Sequence, residues 1–190
     1  MIFTISASQG QGKTTFINDI IRHSEFKTNI TVYPTKSART IVNRYGGDLQ
    51  KIYSDKNMLC DFQLDILKLH SEVFNYQYYT RFLLVERSFM DILAFSVINL
   101  GRFNDLTNWL HAFESACHAN QKKIKCNFKI EKTLIATNDG VRPTNDLFND
   151  AYDAYLTRLV WQHSCNWIKS SNRMSRVNEF DDYLIEGYRE

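Results

Sequence analysis

The stretch Ile2-Phe3-Thr4-Ile5-Ser6-Ala7-Ser8-Gln9-Gly10-Gln11-Gly12-Lys13-Thr14-Thr15 decides the fold of this chain. Residues 2–5 are apolar or β-branched, the mark of a short buried strand. Residues 6–12 are small and polar, and from Thr14 the apolar residues Phe16, Ile17, Ile20 and Ile21 recur on one side of a helix. Strand, loop and helix with Gly10, Gly12, Lys13 and Thr14 in this order satisfy the Walker A pattern, except that Ala7 stands where the first glycine is usual. Such a loop binds phosphate because successive backbone N–H groups and the helix N-terminus wrap its oxygens. Gly10 and Gly12 permit the backbone conformations this requires, Lys13 can reach the β- and γ-phosphates, and the Thr14 hydroxyl can ligate Mg²⁺. Thr15 can add an α-phosphate contact. Gln9, Gly10, Gln11, Gly12, Lys13, Thr14 and Thr15 are therefore candidate ATP-binding residues, with Mg²⁺ as the accompanying ion. The plainer alternative is a Gly-rich turn that only joins a strand to a helix.

Outward from this stretch the alternation continues. Residues 30–33, β-branched at Ile30, Thr31 and Val32, form a second apolar stretch that stops at Pro34, after which Ala38, Ile41 and Val42 predict a helix ending near Gly46-Gly47. Phe62, Ile66, Leu69 and Val73 predict a helix over 61–74 with Asp61 as its N-cap. Residues 81–86 form an apolar run closing on Glu86, the pattern of a central parallel strand covered on both faces. Helices are expected over 90–100, 104–119 and 145–168, a fourth strand over 130–137 and a last one near 176–178. Parallel strands need helical crossovers, so this alternation predicts an open α/β sheet.

Composition agrees with one domain over residues 1–190: 44% hydrophobic, 23% charged and 14% aromatic residues exclude a disordered tail. Seven glycines and two prolines leave no flexible linker. With 23 basic and 21 acidic residues the formal charge is +2, which neither demands nor forbids a nucleic-acid partner. Cys60, Cys117, Cys126 and Cys165 show no Cys-x-x-Cys spacing, and His23, His70, His111, His118 and His163 show no metal spacing, so reduced thiols and ordinary imidazoles are expected. Residues 1–5 are too short for a signal-peptide core and no later apolar run approaches a membrane span, so the expectation is a soluble cytoplasmic protein with no membrane partner.

A phosphate loop alone does not separate kinases, ATPases and GTPases. No guanine-specifying Asn-Lys-x-Asp occurs, which disfavours a GTPase switch. Glu86 and Arg87 follow the third strand at the sheet edge where ligands collect in open α/β folds. Glu86 can hold a Mg²⁺-bound water or accept the proton of an attacking hydroxyl, and Arg87 can clamp phosphate or stabilise transferred charge. The alternative makes them a solvated strand-end pair, with Asp91 capping the next helix.

The phosphate loop, Pro34 with Ala38-Arg39, Phe62-Gln63-Leu64, Glu86-Arg87-Ser88 with Asp91, and Asp139-Gly140-Val141-Arg142 resemble, in this order, small P-loop kinase-like (AAA-type ATPase) domains. These are the domains grouped with nicotinamide riboside kinases and with phage nucleoside and 5-hydroxymethyluracil-DNA kinases. The resemblance spans residues 1 to about 160, and the third-strand segment is also similar to the Glu-Arg-Ser motif of deoxynucleoside kinases. It implies a P-loop NTPase three-layer sandwich, nucleoside-kinase-like, with a central, mainly parallel five-stranded sheet. It also implies a lid around 138–146 carrying Arg142, acceptor contacts at Arg39 and Asp91, and Glu86 as base. The activity implied is transfer of the ATP γ-phosphoryl group to a hydroxyl of a nucleoside-type acceptor. The favoured acceptor is the hydroxymethyl group of 5-hydroxymethyluracil in phage DNA, which would place the enzyme in the host cytoplasm. A free nucleoside, a nucleotide or nicotinamide riboside is the second choice, and an ATPase or nucleotide-dependent regulator the third. The chain departs from these relatives at Thr35-Lys36, where they carry an acidic residue, and at Glu86, where they often carry Asp.

Two basic groups bear on the DNA reading. Lys122, Lys123, Lys125, Lys129 and Lys132 crowd one stretch, and Lys169, Arg173 and Arg176 form another. With Phe128, Trp161 and Trp167 nearby they can be read as a nucleic-acid surface, or as a solvated face over core aromatics.

Overall fold

The computed structural model describes residues 1–8, 10–34, 41–132 and 146–186. Gln9, Arg39, Arg142 and the expected lid at 138–145 lie outside them. β1 (Ile2–Ser6) occupies the middle of a five-stranded sheet. It pairs on one side with β3 (Phe82–Glu86) and on the other with β4 (Cys126–Ile130). β2 (Ile30–Val32) and β5 (Cys165–Ile168) are the edges, so the order is β2-β3-β1-β4-β5 with every pair parallel.

The described helices are α1 (Lys13–His23), α2 (Leu49–Ser54), α3 (Lys56–Ser71), α4 (Phe89–Leu100), α5 (Thr107–Gln121), α6 (Asp146–Val160) and α7 (Arg173–Glu186). Helices lie on both faces of the sheet, as an α/β three-layer sandwich requires. On one face Phe16, Ile17 and Ile20 of α1 and Phe180 and Leu184 of α7 cover Phe3, Ile5 and Phe128. On the other, α4 is apolar nearly all round, as a helix enclosed by others must be, and packs against α3, α5 and α6 through Leu67, Phe113, Tyr152 and Leu156.

Several boundaries differ from the sequence expectation. α3 starts at Lys56, because Asp55 accepts hydrogen bonds from the backbone N–H groups of Asn57 and Met58, whereas Asp61 is an exposed residue inside the helix. β4 at Cys126–Ile130 overlaps the strand expected over 130–137 only at Ile130, because buried Asn127 and Lys129 interrupt its apolar pattern; residues 133–137 lie outside the described residues. The single helix expected over 145–168 is a helix, a turn and the edge strand β5. Arg176-Val177-Asn178 is one turn of α7, not a strand, and Val177, Phe180 and Leu184 bury at helical spacing.

The β5 edge carries a local feature of its own: the backbone N–H of Trp167 donates to the Asn166 side-chain oxygen at 3.0 Å. All four cysteines are free, as the scattered spacing suggested. Among the described residues no helix is long and apolar enough to cross a membrane.

Phe128 has no exposed surface and its ring meets those of Phe3, Phe180 and Tyr183. Phe128→Ala should cost about 3–5 kcal/mol by loss of transfer energy and cavity formation, read from urea unfolding.

Candidate nucleotide site

The carboxyl edge of β1 delivers the chain into the phosphate loop. Gly10 and Gly12 take φ values of 75° and 77°, left-handed conformations that a side chain would strain, and Gly12 is the N-cap of α1. Open space remains at Gly12, where an added Cβ would meet nothing nearer than 3.9 Å, so conformation rather than crowding calls for glycine. Lys13 is buried and its ammonium donates to the carbonyl oxygens of Ala7 at 2.7 Å and Ser8 at 3.0 Å. It is thus folded over the loop whose N–H groups would receive phosphate.

The Thr14 hydroxyl donates to Glu86 Oε1 at 3.1 Å across 72 residues of sequence. The register of the sheet makes this contact: Ile5 of β1 pairs with Glu86 at the end of β3, which sets the strand-end carboxylate beside the start of α1. One hydroxyl and one carboxylate suit Mg²⁺, which takes hard oxygen ligands and keeps several waters. Two such ligands leave the remaining positions of the ion to phosphate oxygens and water.

Arg87 follows with φ 75°, and no other non-glycine described residue has a positive φ. A left-handed arginine costs of order 1–3 kcal/mol and persists only where its surroundings hold it. Here its N–H donates to Ile5 O at 2.9 Å. A backbone hydrogen bond with His70 holds it from the α3 side. Elsewhere on α4, the ring of Phe95 lies 6.0 Å from that of Tyr53 and 6.1 Å from that of Phe148.

Asp91 departs from the acceptor role expected for it. It has no exposed surface, and Ser88 and Asp91 form the capping box of α4. One carboxylate oxygen accepts from the Ser88 N–H, the Ser88 hydroxyl and the Ser6 hydroxyl, and the other from the Tyr152 hydroxyl. A carboxylate so enclosed organises the protein itself.

His70 was missed in the sequence because its position becomes significant only in three dimensions. It stacks edge-on against Phe89 at 4.8 Å and lies beside Arg87. Burial pushes its imidazole from the ordinary 6.5 down to about 4, against the opposing pull of the Asp91 carboxylate and a backbone hydrogen bond with Arg87.

The basic stretches are also resolved. Lys129 is buried and pairs with Asp153 at 2.7 Å, Lys132 pairs with Asp150, and Arg173 pairs with Asp19. Arg176 is buried and donates to Ser170 O and, at 3.5 Å, to Gln11 O of the phosphate loop. A cleft of about 460 Å³ joins Lys129, Lys132, Trp161, Trp167 and Lys169 along the β5 side, with Glu131 and Asp153 in the same wall. Members of the two stretches therefore share a surface, but with acids interleaved.

The fold has counterparts among solved structures. Deoxyadenosine kinase from M. mycoides, solved with dCMP and dCDP, superposes with a TM-score of 0.70 at 11% identity, over 98% of this chain and 100% of that one. NadR in complex with NAD and AMP-PNP superposes with a TM-score of 0.64 at 12% identity, over 97% of this chain and 48% of that one. No protein-family model matches the chain. No curated protein matches it by sequence. The chain has the P-loop nucleoside-kinase-like fold.

As pH falls from 6.5 towards 4, the unfolded chain takes up a proton on His70 that the folded protein refuses, so stability is lost across that window and levels off below it. The loss should be about 3 kcal/mol, and His70→Leu should flatten that part of the stability–pH curve measured by thermal unfolding.

Proposed function

We propose that the protein is an ATP-dependent kinase that transfers the γ-phosphoryl group to a hydroxyl of a nucleoside-type acceptor. The observation that carries this reading is the Thr14–Glu86 contact, which sets a carboxylate 3.1 Å from the hydroxyl that opens the phosphate-loop helix. Donor phosphate and a proton acceptor then share one edge of the sheet. NadR was solved with AMP-PNP, an ATP analogue, which supports ATP as the donor.

Lys13 would exchange its two loop carbonyls for the β- and γ-phosphate oxygens. Glu86 would take the proton of the acceptor hydroxyl as its oxygen attacks the γ-phosphorus and the bond to the β–γ bridging oxygen breaks, releasing ADP. Arg87, held in its left-handed conformation at the end of β3, would meet the charge spreading over the transferred group. Arg142, if carried by a lid as the resemblance implies, would add to that neutralisation, and Arg39 would contact the acceptor. Thr14 would hold Mg²⁺, joined by Glu86 in the alternative in which that carboxylate organises the ion rather than taking the proton, and the ion would supply charge neutralisation at the β- and γ-phosphates.

For the acceptor we favour the hydroxymethyl group of 5-hydroxymethyluracil in phage DNA, on the ordered motifs. A base within a duplex would have to be flipped out. The second reading, a free nucleoside, nucleotide or nicotinamide riboside, draws support from Lys129, Lys132 and Arg173, whose charges are matched by acids of the protein rather than offered to a phosphate backbone.

Incubation with γ-labelled ATP, nucleosides, nucleotides, nicotinamide riboside and plain or hydroxymethyluracil-containing DNA tests this directly. Label should appear on a hydroxyl acceptor; rapid hydrolysis with label only in inorganic phosphate would replace the kinase by an ATPase. Lys13→Ala should abolish transfer in a folded protein, and Glu86→Gln should lower kcat by about 10²–10⁴-fold while ATP still binds.

A further inference from the structure

The phosphate loop is tethered by a group of the wrong charge. Ser8 has no exposed surface, and its hydroxyl donates to Oδ1 of Asp153 on α6. The Ser8 carbonyl in turn accepts from Lys13, so the tether fixes the residue on which the loop lysine rests. A carboxylate accepts a hydrogen bond more strongly than a neutral oxygen does. Its negative charge, however, lies against a loop that has to gather phosphate.

Lys129 answers that conflict. It has no exposed surface, projects from the end of β4 at the position paired with Ser6, and holds its ammonium 2.7 Å from the same Oδ1. Its remaining contacts are the Ile130 carbonyl at 3.1 Å and the face of Trp167 at 5.7 Å from the ring centroid. A buried lysine is costly unless paired, and this one is paired with the carboxylate that anchors the loop.

We infer that Lys129 is a built-in counter-ion that cancels the charge of Asp153, so that the phosphate loop is held by a strong acceptor without repelling the nucleotide. Neither residue touches the reacting atoms; both are positioning residues. The inference rests on reading residues 8–15 as the donor site.

The two charges act in opposite directions on a bound polyanion, and that separates this role from simple structural support. ATP binding with Mg²⁺ is measured at equilibrium on the whole chain, with urea unfolding in parallel, for Lys129→Met, Asp153→Asn and the double variant. Lys129→Met exposes the loop to a bare carboxylate and should raise the Kd for ATP by roughly tenfold. Asp153→Asn keeps an oxygen for Ser8 and removes the repelling charge, so the Kd should stay within about twofold or fall. The double variant restores neutrality and should return to within about threefold of the parent. Equal Kd values for Lys129→Met and the parent, or weakening by both single variants, would overturn the inference. If Lys129→Met does not fold, Asp153→Asn and the double variant decide: unweakened binding in both supports it, and a tenfold loss in either sinks it. A parent protein that binds no ATP removes the donor-site reading itself, whereas a parent that binds with unmoved variants removes only the counter-ion.

Discussion

The carboxylate of Asp91 has no exposed surface, and the Ser6, Ser88 and Tyr152 hydroxyls and the Ser88 N–H converge on it. Those partners come from the end of β1, the turn after β3 and the middle of α6. Unpaired, such a charge would be intolerable in the interior; fully hydrogen-bonded, it allows few arrangements of the elements that supply its donors. The relative position of the phosphate loop, the Glu86-Arg87 strap and α6 depends on this one group. Tyr152 reaches it from the residue next to Asp153, which holds Ser8, so a single step along α6 touches both the loop and the strap.

What was legible in the sequence was local or periodic. β1, the loop and α1 follow from apolar spacing and from two glycines placed where left-handed backbone is needed. β3 is an apolar run bounded by charge, and Asp91 as a cap was one of the alternatives its spacing offered. β4 was misplaced because Asn127 and Lys129 are interior residues whose partners are far off in the chain: Thr4 and Ser6 for the first, Asp153 for the second. A pattern rule takes polar residues for surface unless it knows their partners. β5 was absorbed into the preceding helix because Leu159, Val160, Cys165 and Ile168 continue an apolar series across a turn that carries neither Gly nor Pro. Arg176-Val177-Asn178 shows the reverse error, since a β-branched residue between polar ones fits a strand as well as one turn of an amphipathic helix.

The site divides along the same line. Thr14 and Glu86 stood at the ends of elements the sequence identified, so their meeting followed once the parallel order of the sheet was known. The left-handed conformation of Arg87 and the buried imidazole beside it depend on packing between α3, α4 and the β3 turn, which no short window contains. At 11–12% identity with superposable structures, what is held in common is the fold.

The Asn166 side chain that accepts from the Trp167 N–H occupies a backbone donor of the outermost strand. An incoming strand from a second copy would have to displace that bond before it could extend the sheet, and β5 offers only four residues over which to recover the loss. The opposite border, β2, is shorter still at three residues. At the β5 border, then, the native strand itself opposes lateral growth into an intermolecular sheet.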